Sequence, residues 1–102
     1  MVNNFIELVA IIFLIDKNGG VLIVKLNEAI VQRIIQFCNE QNLSVNKLAS
    51  LSMLTQSTLN NIVNKYTKDV KMMTLVKICD GLNVSMSEFF DSPLFDNIDI
   101  DL

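Results

Sequence analysis

The sequence contains no His and no Trp, a single Pro, three Gly and two Cys. Without His, the usual nitrogen ligand for zinc and the usual general base are both missing, so zinc sites and His-based triads are excluded. Cys38 and Cys79 stand 41 positions apart and fit no metal or redox spacing. Both fall on the apolar side of helical patterns, which reads as small buried thiols in a reducing compartment. Charged residues make up 19% of the chain and apolar ones 51%. With Pro so scarce, that balance excludes a disordered chain. Gly19-Gly20 lacks the P-loop pattern and its Lys-Ser/Thr, the carboxylates are scattered, and no base sits near the Ser residues. The expectation is a protein that is not an enzyme, with no cofactor, no metal and no evident small-molecule substrate.

What is there fits one domain of 102 residues. Its texture changes along the chain. Residues 1–25 are strongly apolar, residues 26–91 show helical periodicity with caps, and residues 92–102 form an acidic tail. The apolar run Phe5–Ile15 is shorter than the roughly 20 residues of a membrane span. It also lacks the basic flank and cleavage site of a signal peptide, so the chain is placed in the cytoplasm. The β-rich runs on either side of Asn18-Gly19 suit a β-hairpin, and a single short helix ending at Gly19 suits them equally. Gly19-Gly20 is also compatible with the in-frame reading of a ribosome-binding site, with Val24 as an alternative start codon. The mass of the native N-terminal peptide decides that point.

From Leu26 the periodicity is helical. Ile30, Ile34, Phe37 and Cys38 form one apolar stripe, with Asn27 as N-cap and Asn42 as the C′ residue. Ser44 caps a second helix with Val45, Leu48, Ala49 and Ser52 inside. Met53-Leu54-Thr55 is a short break, and Thr55 caps a third helix with Leu59, Ile62 and Val63 inside. A polar connection follows at residues 66–69. Met72, Leu75, Ile78, Cys79 and Leu82 make a fourth stripe ending near Gly81, and the capping box Ser85-Met86-Ser87-Glu88 opens a fifth helix carrying Phe89 and Phe90. The fold class is all-α, five short helices in a bundle.

The third helix carries the most unusual surface. Its outer positions are Gln56, Ser57, Asn60, Asn61 and Asn64, spaced i, i+1, i+4, i+5, i+8 on one face. An ordinary solvated face would be rich in Glu and Lys, which favour helix. Amides and a hydroxyl are poorer helix formers, yet Asn and Gln can bond an adenine edge in bidentate fashion and Ser can pair with several base edges. Lys65, Lys68 and Lys71 lie just beyond, placed to hold a phosphate backbone. The competing reading is an uncommitted polar surface in an Asn-rich chain, and composition alone leaves the two about even.

The formal charge of −3 opposes a polyanion partner, but its distribution does not. Residues 29–79 carry Arg33, Lys47, Lys65, Lys68, Lys71 and Lys77 against Glu40 and Asp69, a net of +4. Residues 80–102 carry six acids and no base, and residues 1–28 carry a net of −1. Phosphates respond to local charge within a Debye length of about 10 Å.

The linked stretches Leu43–Ala49, Leu54–Ile62 and Leu75–Phe90 resemble the lambda-repressor-like (Cro-type, or XRE-type) helix-turn-helix family over residues 30–90, about two thirds of the chain. The resemblance implies a five-helix DNA-binding domain at residues 26–91, preceded by the apolar extension at residues 1–25 and followed by the acidic tail at residues 92–102. In that family the third helix enters the major groove and the second crosses the backbone. By position, Gln56, Ser57, Asn60 and Asn61 then read bases. Ser44, Asn46, Lys47, Thr55, Asn64, Lys65 and Lys68 form the phosphate-contacting set, while Thr58 and Leu59 pack inward. The implied partner is double-stranded DNA with a two-fold operator, bound by a homodimer that acts as a transcriptional repressor. The apolar N-terminal segment is the sequence candidate for the dimer surface.

Two positions depart from the family pattern. Met53 stands where the turn usually has Gly, and a left-handed backbone there costs about a kilocalorie per mole. Val45 stands where Gln often begins the second helix, which removes one phosphate contact. A second reading keeps the fold but makes the chain a protein-interaction module, such as an antitoxin or anti-regulator, whose alternating tail adds a strand to a partner. A frayed tail is the commoner outcome for such a terminus. A third reading holds the chain at a membrane through residues 5–15.

Overall fold

A computed structural model describes residues 23–100. The apolar run Phe5–Ile15 and its hairpin-or-helix alternatives lie outside the described residues. Among those described, the elements are α1 (Leu26–Glu40), α2 (Val45–Leu51), α3 (Gln56–Val63), α4 (Met72–Leu82), α5 (Met86–Phe90) and a 3₁₀ turn (Pro93–Phe95). The all-α expectation of five helices is met. Among the described residues no helix is long and apolar enough to cross a membrane.

The connections follow from three-residue units. Asn42-Leu43-Ser44, Met53-Leu54-Thr55 and Asn83-Val84-Ser85 each begin with a left-handed residue, at φ 56°, 57° and 59°. In each unit the middle N–H returns to a carbonyl of the preceding helix: Leu43 to Cys38 at 2.8 Å, Leu54 to Ala49 at 2.9 Å, Val84 to Cys79 at 3.0 Å. This is the Schellman closure, in which an apolar side chain after the left-handed residue folds back on the helix it ends. Leu43, Leu54 and Val84 pack accordingly against the core. The third residue caps the next helix: Ser44 Oγ accepts from Lys47 N–H, Thr55 Oγ1 from Thr58 N–H and Ser85 Oγ from Glu88 N–H, all at 3.0 Å. One unit therefore ends one helix, plugs the core and starts the next.

The core joins Ile34 and Phe37 of α1, Leu48 and Ala49 of α2, Leu59 and Ile62 of α3, Leu75, Ile78 and Leu82 of α4, and Phe89 of α5. Phe89 is fully buried and has Phe37, Phe90 and Phe95 around it at ring centroid distances of 6.1, 5.3 and 6.1 Å. Both thiols are free and buried, and burial pushes each above the ordinary thiol range.

Several details differ from the sequence reading. Asn27 is not the N-cap of α1. Lys25 holds that place without a side-chain bond, because the backbone of Val24 is already paired in extended form. Met72, counted among the inner residues of α4, is 65% exposed. It begins the helix at the edge of the stripe, one turn ahead of Leu75. Helix α4 ends near Gly81 as expected, at Leu82, and closes at Asn83, so Gly81 lies inside the last turn. Its role is close packing, since a Cβ there would meet the side chain and backbone N of Ser52 and Leu48 Cδ1, the last two at 3.0 and 3.2 Å.

The tail folds back instead of fraying. Ser92 caps the 3₁₀ turn, Leu94 is buried, and Val24 pairs with Ile98 in a parallel bridge. Val24 N–H donates to the Asn97 carbonyl at 3.1 Å, and Asp99 N–H donates to the Val24 carbonyl at 2.7 Å. Val24, Ala29 and Leu94 form a second apolar cluster with Phe95 and Ile98 against it.

Candidate nucleic-acid interface

Helix α3 is anchored by Leu59 and Ile62, which are 0% and 3% exposed, and it packs on α2 through the Met53 turn. The other side of the helix is free for contact. Gln56, Ser57 and Asn61 are exposed and Asn60 is half-buried. Among the described residues no hydrogen bond engages the side chains of these four. Their donors and acceptors are therefore available to a ligand, which an amide held by neighbours would not be.

The positions expected to hold phosphates lie at the start of α2, at the two ends of α3 and in the connection after it. Asn46, Lys47 and Ser44 sit at the exposed start of α2, where Ser44 Oγ accepts the Lys47 N–H and keeps its own hydrogen to donate. Thr55 donates its hydroxyl to Thr58 Oγ1 at 2.8 Å as well as capping α3, so it belongs first to the helix start. Asn64 ends α3, Lys65 follows at φ 66°, and Lys68 lies in the connection to α4; all three are exposed.

Three features were not read from the sequence. Thr58 is exposed, not packed, and lines an open groove of about 370 Å³ with Leu54, Ile62, Thr67 and Thr74. Tyr66 occupies the place held by a half-buried aliphatic in the other connections, yet it is 78% exposed. Its N–H still closes α3 on the Asn61 carbonyl at 2.9 Å. The available signal was a lone aromatic inside a polar, basic connection. Arg33 had been counted in the basic centre, but its guanidinium is turned inward. Its Nε donates to the Phe89 carbonyl at 2.7 Å, its Nη2 to the carbonyls of Glu88 and Asp91 at 2.9 and 3.2 Å, and its Nη1 to Gln36 Oε1 at 3.1 Å. The group also stacks 4.3 Å from the Phe37 ring centroid. Among the described residues no cluster of His, Cys, Asp and Glu could hold a metal.

A helix-turn-helix family model matches residues 34–89, which contain all of α2 through the turn into α3 and on to α5. The crystal structure of prophage Lp1 protein 11 is similar at 31% identity and a TM-score of 0.63, covering 70% of this chain and 93% of that one. No curated protein matches the chain. A family match over more than half of the residues, on a fold that presents α3 behind a left-handed turn, places the chain in the lambda-repressor-like (XRE-type) helix-turn-helix family of DNA-binding regulators.

Proposed function

We propose that the protein binds double-stranded DNA sequence-specifically and acts as a transcriptional repressor. The observation that carries this reading is the unengaged amide and hydroxyl face of α3, flanked by exposed lysines. Gln56, Ser57, Asn60 and Asn61 face base edges in the major groove. Ser44, Asn46, Lys47, Thr55, Asn64, Lys65 and Lys68 hold phosphates on both sides. The division of labour is physical: each bidentate amide contact discriminates bases by about 1–3 kcal/mol, while phosphate contacts supply affinity that is indifferent to sequence.

A two-fold operator with half-sites about 34 Å apart goes with a homodimer, as family architecture suggests. DNA as partner puts the protein in the cytoplasm, and nothing in the reading asks for catalysis. The interaction-module alternative drew a little support from a tail that could add a strand to a partner. Ile98 is already paired with Val24, which favours the DNA reading.

Fluorescence anisotropy on duplex DNA at several salt concentrations tests the proposal. Affinity should fall linearly on a log–log scale, with a slope near −0.9 for each phosphate neutralised. Absence of binding to any duplex at low salt would reject it.

A further inference from the structure

In the sequence, the acidic residues and the basic ones occupy different stretches. The fold removes that separation. Lys25 at the start of α1, Lys68 after α3, and Ile98, Asp99 and Ile100 of the tail all line one open groove of about 610 Å³. The tail is held there by packing and backbone hydrogen bonds. Leu94 is buried beneath it, and the backbone of Val24 is bonded on both sides of Ile98. Asp99, on a backbone held in place, thus shares a groove with Lys25 and with a lysine assigned to a DNA phosphate; Asp69 lines it as well.

We propose that the C-terminal tail is an autoinhibitory clasp, in which Asp99 screens Lys25 and Lys68 from polyanions and so lowers DNA affinity. The identification of Lys68 as a phosphate contact rests on the proposed function, but the screening itself does not. A phosphate entering this groove toward Lys68 feels the negative field of Asp99 at its wall. It must either tolerate a like charge or wait for the Val24–Ile98 bridge to open. The device is local, and that separates it from the bulk effect of acidic composition. Asp96 carries the same charge on the same tail and is exposed, yet it does not line the groove.

The test uses the full chain and compares Asp99→Asn with Asp96→Asn. Both remove one negative charge, and Asp99→Asn keeps the backbone N–H that bonds Val24. Asp99→Ser repeats the measurement should the amide disturb the clasp. Two probes are read: the salt needed to elute each variant from immobilised heparin, and anisotropy on a random-sequence duplex. Asp99→Asn should bind the duplex about twofold to fivefold more tightly at low salt, the scale of one exposed charge–charge interaction. Its log–log salt slope should steepen by up to about one. Asp96→Asn should move either probe by less than half as much, and the gain from Asp99→Asn should vanish in a Lys25→Gln/Lys68→Gln background. Equal gains for the two aspartates, or no gain from either, would overturn the proposal. Stronger heparin retention of Asp99→Asn with no duplex binding by any variant would uphold the clasp and defeat the DNA reading.

Discussion

Among the described residues, four other than glycine hold left-handed backbone: Asn42, Met53, Lys65 and Asn83. Asn tolerates that region through its short polar side chain, but Met and Lys do not, and each costs about 1 kcal/mol there. Met53 is 87% exposed, so its side chain regains little by burial. Met53→Gly should therefore stabilise the fold by about 0.5–1 kcal/mol in urea unfolding, with duplex affinity unchanged. Lys65→Gly should stabilise by a similar amount yet weaken binding to every duplex. Opposite signs in stability and affinity would mark Lys65 as a residue kept for its charge. Ser52 gives a second case. It is 2% exposed and its hydroxyl has no partner, directly against Gly81. Ser52→Ala should stabilise by about 1 kcal/mol by removing an unsatisfied group. Gly81→Ala should destabilise, because Leu48 and the Ser52 backbone must move to admit a Cβ.

At the scale of the element, α5 has five residues, far too few to persist alone. It is held at its end by Arg33, whose guanidinium takes the carbonyls of Glu88, Phe89 and Asp91, the first of which also accepts the Asp91 N–H. Hydrogen bonds of this charged kind contribute about 1.5–3 kcal/mol, so Arg33→Ala should lower stability by roughly that much in urea unfolding. Arg33→Lys should recover little, since a single ammonium cannot span those carbonyls in the fork geometry. Much of the element structure was legible beforehand. Ser44, Thr55 and Ser85 announced helix starts, the apolar stripes announced inner faces, and Asn42 announced a helix end. Arg33 was not legible, because its partners are backbone carbonyls more than 50 positions away. Nor was the tail, whose bridge to Val24 depends on where the fold brings two chain ends. Thr58 was misread because its neighbour Leu59 sets the buried direction, and one step along a helix turns a side chain away by about 100°.

At the scale of the molecule, an aromatic cluster joins α1, α5 and the 3₁₀ turn, and α3 contributes no ring to it. The two thiols belong to the interior. Their raised pKa means that burial favours the protonated form, so any stability they contribute is intact below the ordinary thiol value of about 8.5 and lost as pH rises past it. A thiol reagent at neutral pH should accordingly react only at the rate of unfolding. Charge works at this scale too, since a chain with a net of −3 offers a ligand both a lysine-flanked helix and an acidic tail.

The central claim is that α3 reads sequence through its amides. Selection of binding sites from random DNA, run in parallel for the wild-type protein, Gln56→Ala, Asn60→Ala and Lys65→Ala, tests it most directly. The wild type should enrich one two-fold site. The Gln56 and Asn60 changes should each cost about 1–3 kcal/mol on that site and relax its preference at particular positions. Lys65→Ala should weaken all binding while leaving the preferred sequence intact. Unchanged selectivity in both the Gln56 and Asn60 variants would contradict the assignment of the reading face.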